Sequence, residues 1–189
     1  MKRTSILVCC LFLLLGCHPR VWLDPGRFQT QLNAGDFSAY KGKDLQVVVI
    51  LQATNADAYY YYSNGSGTRY TSYPSMENFL DGAIRKSIAS MGMTVYVASP
   101  QLRIIPEMRI FFNSLSDVLY ATEVQVLIDK GIKLSEPFTV KMPPPDKDAT
   151  IQDLEKRAYR MVDMLVEQIF RDPRVQALVM QDIPGSPKK

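Results

Sequence analysis

The chain has 189 residues, 47% of them apolar, with 22 Lys and Arg against 19 Asp and Glu, one His and three Cys. That length and apolar share fit one domain with a real core, and so few His and Cys exclude a multi-ligand zinc site. A net charge of +3 gives no support for a nucleic-acid partner.

The N-terminus reads MKRTSILVCCLFLLLGC. Lys2 and Arg3 form a positive start, and Ile6 to Leu15 form an apolar run of ten residues. Such a run is too short to cross a bilayer, which takes about 20 residues as a helix. A charged start, a short apolar run and a small residue before a cut site make an export signal, here residues 1–16. Leu14-Leu15-Gly16-Cys17 resembles the bacterial lipobox, whose cysteine receives lipid and becomes the new N-terminus. Leu15 is bulkier than the Ala, Ser or Thr usual in that motif. The alternative is an ordinary secretory signal or an uncleaved anchor.

Cysteine usage favours lipid on Cys17. Cys9 and Cys10 leave with the signal, so the mature chain has no thiol for a disulfide, a metal or a nucleophile. Each buried methylene contributes about 0.8 kcal/mol, so several acyl chains on one cysteine give near-permanent anchoring. His18 follows the cysteine. By resemblance to enteric sorting, where Asp in that place retains a lipoprotein at the inner membrane, the expected location is the outer membrane, facing the periplasm. Loss of Lys2 and Arg3 leaves 20 basic against 19 acidic side chains, so the mature domain is almost neutral.

Residues 17–44 read as the lipidated cysteine and a tether, broken by Pro19, Pro25, Gly26, Gly35 and Gly42, with Trp22 and Phe28 as possible docking points. The 27 residues 18–44 reach at most about 90 Å when extended. A single domain is expected over 45–180. Leu45–Ala53 is a β-rich apolar run, expected to form a buried central strand. Residues 58–70 read AYYYYSNGSGTRY. Tyrosine favours strands and Asn64-Gly65 favours a tight turn, which predicts a β-hairpin arm or an extended aromatic loop.

Pro74-Ser75 opens a helix that Ser75 can cap. Met76, Phe79, Leu80, Ala83, Ile84, Ser87, Ile88 and Met91 recur at helical spacing, and Gly92 suits a left-handed stop. Strands follow at Thr94–Ala98, at Leu102–Asn113, where Pro106 implies an edge or bulge, at Val118–Asp129 and at Ile132–Met142. The last two alternate apolar and polar residues, as in an antiparallel sheet with one wet face. After Pro143-Pro144-Pro145, Thr150 caps a second helix with Asp153 in its first turn. Its apolar stripe is Ile151, Leu154, Ala158, Met161, Val162, Leu165 and Ile169. Asp153–Arg157 and Glu167–Arg171 are possible i,i+4 pairs. Asp172-Pro173 ends it, Val175, Leu178 and Val179 add a short apolar turn, and residues 181–189 read as a disordered tail. The expected fold is α+β: a two-layer sandwich in which a mostly antiparallel sheet of about four strands packs against two amphipathic helices.

No chemistry stands out. His18, the only histidine, is far from any candidate nucleophile, and there is no phosphate-binding Gly-rich loop with Lys and Ser or Thr. Gly65-Ser66-Gly67 reads as a turn. A carboxylate pair for glycoside cleavage stays open, although most acids fall on expected wet faces. The chain is therefore read as a non-enzyme without catalytic residues, metal or cofactor. The tyrosines carry the one functional signal. Residues 59–62 alternate in a strand, so Tyr59 and Tyr61 face opposite to Tyr60 and Tyr62. With Tyr70 and Tyr73 they make a candidate surface for a protein, lipid or glycan, since tyrosine is enriched at binding surfaces.

The order of elements over residues 45–171 brings a resemblance with it. A lipidated cysteine, a first strand, the helix DGAIRKSIASMGMTV, the strands LRIIPEMRIFF and YATEVQVLIDKGIKL, and a charged amphipathic C-terminal helix resemble small outer-membrane assembly lipoproteins. These include the YajG-type lipoproteins, the LptE-type lipopolysaccharide-assembly lipoproteins and the auxiliary lipoproteins of lipid-transport ABC systems. The resemblance implies a non-enzymatic partner of a larger envelope complex in transport, secretion or outer-membrane biogenesis. The alternative is direct binding of lipopolysaccharide, phospholipid or peptidoglycan through the tyrosine arm.

Overall fold

The computed structural model describes residues 20–50, 60–61, 69–73, 76–95, 100–107, 118–128, 130–143, 145–146 and 148–181. The expected signal peptide, Cys17, the expected turn at Asn64-Gly65, Ser75 and residues 182–189 lie outside the described residues.

A four-stranded sheet forms one layer, in the order β2 (Gln46–Val49), β5 (Gln101–Glu107), β6 (Val118–Ile128) and β7 (Gly131–Met142). β2 and β5 are parallel, and the other two pairings are antiparallel. β6 and β7 are joined by a tight turn in which Lys130 takes φ 65°. A register shift at Val126/Leu127 bends the long hairpin.

Two helices cover one face of this sheet. α1 (Met76–Ser90) packs over β2, and α2 (Ile151–Arg171) packs over β7. α1 buries Phe79, Leu80, Ala83, Ile84, Ser87 and Ile88, the stripe its spacing predicts, and Gly92 ends the turn after it at φ 82°. α2 starts with a capping box. Thr150 Oγ1 accepts from the Asp153 amide at 3.2 Å, and the Asp153 carboxylate accepts from the Thr150 amide at 2.9 Å. The Thr150 hydroxyl, which donates to the Asp153 carboxylate at 2.6 Å, and then the Thr150 amide hold that carboxyl below its usual range. Glu167 and Arg171 pair at 2.9 Å. At the far end Asp172 caps α3 (Pro173–Val179) by accepting from the Arg174 amide. The fold is thus α+β, with two layers around a core of Val47, Leu102, Ile104, Val124, Val126, Val140 and the helix stripes.

The open face of the sheet is polar. Gln101 donates to Gln46 across β2 and β5, Arg103 donates to Gln101, and Gln125 and Ser135 both donate to Glu123. Those donors hold the Glu123 carboxyl below its usual range.

Several expectations need correction. β2 is an edge strand, not a central one, and only alternate residues in it are buried. Thr94 forms a single bridge with Asp44 in place of a strand over Thr94–Ala98, of which residues 96–98 lie outside the described residues. Pro106, expected at an edge or bulge, pairs with Thr122 of β6 and lies beyond Ile104, the last residue of β5 in register with β2. Ile151 is 44% exposed and lies off the α2 stripe.

The largest correction concerns the tether. Residues 20–44 are built into the domain. They comprise β1 (Arg20–Trp22), an irregular strap and a 3-10 helix over Ala34–Tyr40. Val21, Leu23, Phe28, Phe37 and Tyr40 are all buried. The strap covers the outer side of the two helices. A methyl group at Gly82 of α1 would lie 2.6 Å from the Pro25 Cβ, so the Pro25 ring lies against the helix where only a glycine leaves room. Phe28 meets Phe79 of α1 and Tyr159 of α2 edge-on, at 6.5 and 5.5 Å between centroids.

Candidate functional site

The strap is held by two acids that helix periodicity alone would leave in water. Asp163 of α2 is 7% exposed. Its carboxylate accepts from Thr30 Oγ1 at 2.7 Å, from the Gln31 amide at 2.8 Å and from Ser87 Oγ of α1 at 3.2 Å. One carboxylate therefore joins strap, α1 and α2. Glu155, about two turns earlier on α2 and 6% exposed, pairs with Arg27 at 3.3 Å and accepts from Tyr159 Oη at 2.5 Å. Burial, then the bond to Glu155, pushes the Tyr159 phenol up. The two acids are eight residues apart on one helix, roughly 12 Å along its axis, wider than the separation that glycoside cleavage uses. Both are engaged with the strap. Lys86 adds bonds to the Pro25 and Gly26 carbonyls at 2.5 and 3.0 Å.

Further along, the 3-10 helix docks on the C-terminal end of α2. Tyr40 Oη donates to the Phe170 carbonyl at 2.6 Å, and its ring meets Phe170 edge-on at 5.2 Å. Burial pushes the Tyr40 phenol up to about 12. Arg171 bridges Asp36 and Glu167 and lies 5.7 Å from the Phe37 ring centroid. Two neighbouring clefts open here. One of about 570 Å³ runs between Pro137, Phe138 and Thr139 of β7 and Gln168, Arg171 and Asp172. The other, about 240 Å³, lies between Leu32, Asn33 and Phe37 and Arg160 and Asp163, and Met164 and Glu167 line both. Across the rim Arg174 pairs with Glu136 at 2.7 Å and Asp172 at 2.8 Å. That guanidinium, with burial opposing it, holds the Asp172 carboxyl below its usual range. Among the described residues no group of three His, Cys, Asp or Glu side chains converges on a metal-sized site.

The tyrosine arm has a backbone frame. β3 (Tyr60–Tyr61) and β4 (Arg69–Tyr73) pair antiparallel, with Tyr60 opposite Tyr70 and Tyr61 opposite Arg69. This is a hairpin, one of the two forms expected. Its third strand was not expected. β1 runs parallel to β4, with Arg20, Val21 and Trp22 in register with Thr71, Ser72 and Tyr73. Of the six tyrosines singled out in the sequence, Tyr60, Tyr61, Tyr70 and Tyr73 thus belong to one small sheet, order β1–β4–β3. Tyr59 and Tyr62 lie outside the described residues, as does Cys17. Trp22, treated before only as a docking point, belongs to the same sheet and is 50% exposed. Its neighbours Val21 and Leu23 are buried, and β1 packs on α2. Alternation along β1 therefore gives this strand one buried side and one open side.

No protein-family model and no curated protein matches the sequence. Solved structures that this chain is similar to include a protein of the DUF330 family model from Xanthomonas campestris, at 14% identity and TM-score 0.47, covering 74% of this chain and 85% of that one. A PelC dodecamer from Paraburkholderia phytofirmans is similar at 7% identity and TM-score 0.40, over 73% and 90%. A minor lipoprotein from Acinetobacter baumannii is similar at 15% identity and TM-score 0.36, over 75% and 97%. Each likeness is partial and none assigns a function. No helix among the described residues is long and apolar enough to cross a membrane.

Proposed function

We propose that this protein is an acylated, non-enzymatic accessory component of a cell-envelope complex, held at the periplasmic face of the outer membrane by lipid on Cys17. One observation supports this reading above the others. The chain enters its folded domain at Arg20, only three peptide links after Cys17, and the strand that begins there packs on α2. Three links span at most about 11 Å. A lipid on Cys17 therefore fixes the position of the whole domain against the bilayer, which suits a part that must present a surface to a complex at constant height. The clefts between β7, α2 and the 3-10 helix, rimmed by paired charges, offer such a surface.

Two measurements test the reading. Metabolic labelling with a fatty-acid analogue should mark the wild-type chain and leave Cys17→Ala unlabelled and unprocessed; normal labelling of that variant refutes the anchor. Affinity purification from cross-linked membranes in mild detergent should recover a stable envelope partner, and repeated recovery of the chain alone refutes the accessory role.

A second reading is direct binding of an envelope ligand through the tyrosine sheet. It is favoured by the register that sets Tyr60 beside Tyr70 and Tyr73 beside the half-exposed Trp22.

A further inference from the structure

We propose that the sheet β1–β4–β3 rests in the headgroup layer of an anionic phospholipid membrane, because the topology brings Arg20, Trp22, Arg69, Tyr70 and Tyr73 into one small sheet whose first residue, Arg20, follows Cys17 by three peptide links. The inference rests on acylation of Cys17. Given that anchor, distance does the first part of the work. Arg20 starts β1 and cannot stand more than about 11 Å from the lipidated residue. The headgroup region of each leaflet occupies several ångströms between hydrocarbon and water, since a bilayer is about 40–45 Å thick in all against about 30 Å of hydrocarbon. The sheet is therefore held in or against that layer by its covalent connection.

Composition does the second part. The three strands read RVW, YY and RYTSY. They contain two arginines, no carboxylate, four tyrosines and the only tryptophan of the chain. Trp and Tyr concentrate at membrane–water interfaces, where an apolar ring sits at headgroup depth with its polar group toward water. Arginines there are attracted to anionic lipid. Packing does the third part. β1 turns Val21 toward the core and leaves Trp22 half-exposed, so this strand is not covered on both sides by its own domain. Acyl chains supply the affinity, and the aromatic sheet fixes the orientation of the domain on the bilayer.

Trp22 is a built-in reporter, as no other tryptophan contributes to emission. The test uses the full acylated protein in vesicles of phosphatidylethanolamine and phosphatidylglycerol, with the Cys17→Ser protein in buffer as reference. Flotation and the mass of the N-terminal peptide report acylation independently of Trp22. The expected result is a blue shift of Trp22 emission, a severalfold fall in quenching by iodide, and stronger quenching by nitroxides high on the acyl chain than by nitroxides near its end. An acylated chain that floats with the vesicles while Trp22 stays as open to iodide as in the reference overturns the proposal and leaves the anchor standing. A chain that carries no acyl group overturns both. Protection of Trp22 in native membranes but not in pure lipid assigns the sheet to a protein partner and also overturns the proposal.

Discussion

Asp163 shows what a single residue contributes to this architecture. A buried carboxylate is expensive to desolvate, and it is retained only where donors surround it. Thr30, Gln31 and Ser87 supply three donors from two other segments. Removing the acceptor leaves the buried Ser87 hydroxyl and the part-buried bonds from Thr30 and Gln31 without it, at about 1–3 kcal/mol for a group left buried and unpaired. Asp163→Ala should therefore destabilise the domain by about 3 kcal/mol and lower the thermal midpoint by roughly 6–12 °C, with Asp163→Asn falling in between. Urea unfolding measures this, and a change within about 0.5 kcal/mol, ordinary for a surface site, would mean that the carboxylate holds nothing. Tyr40 makes a second prediction, in pH. Its phenol is raised from the ordinary 10.0 to about 12, chiefly by burial, so the folded state holds the proton more tightly than the unfolded state. A group raised on folding stabilises fully below its unfolded pKa and loses that contribution as pH rises toward its folded pKa. Stability should fall between pH 10 and 12, and Tyr40→Phe should flatten that part of the profile. An identical alkaline slope in the variant removes Tyr40 as its cause.

At the scale of elements, the strap decides how the helices are buried. α1 and α2 each pack one side on the sheet, and the strap covers part of the other, which is why Glu155 and Asp163 are buried beside Met161 and Val166. Gly82 gives the sharpest test. Glycine to alanine within a helix normally stabilises by about 1 kcal/mol. Here the new methyl would sit 2.6 Å from the Pro25 Cβ, so Gly82→Ala should destabilise instead. Adding Pro25→Gly should recover part of the loss, giving a coupling above the error of about 0.5 kcal/mol. A stabilised Gly82→Ala would show that residue 25 does not lie on α1. The helices and the β6–β7 hairpin were legible because their apolar residues repeat with periods of 3.6 and 2. The strap was not, because Val21, Leu23, Phe28, Phe37 and Tyr40 follow no period. An irregular segment crossing two helices docks at isolated points, and three residues such as β1 are too few to show alternation. The apolar run at β2 implied burial on both faces, yet the strand lies at an edge with Val48 half-buried and Ile50 exposed.

For the molecule as a whole, the folded strap changes what Cys17 can do. A free tether of 27 residues would let the domain range as far as about 90 Å from the bilayer. Arg20–Trp22 already form a strand packed on α2, so an acyl group on Cys17 would hold the start of the domain within about 11 Å of the anchor. The candidate site was half legible in the same way. The tyrosines and their turn signal were visible in the sequence, whereas their partnership with Arg20–Trp22 is a product of topology. Everything proposed for Cys17 depends on how close the domain lies to the bilayer. Neutron reflectometry of the acylated protein on a supported bilayer measures it directly. Protein density should begin at the headgroups with no water layer between, and should move outward when a flexible segment of about 20 Gly and Ser residues is inserted between Pro19 and Arg20. A hydrated gap beneath the wild-type domain, unchanged by that insertion, would contradict it.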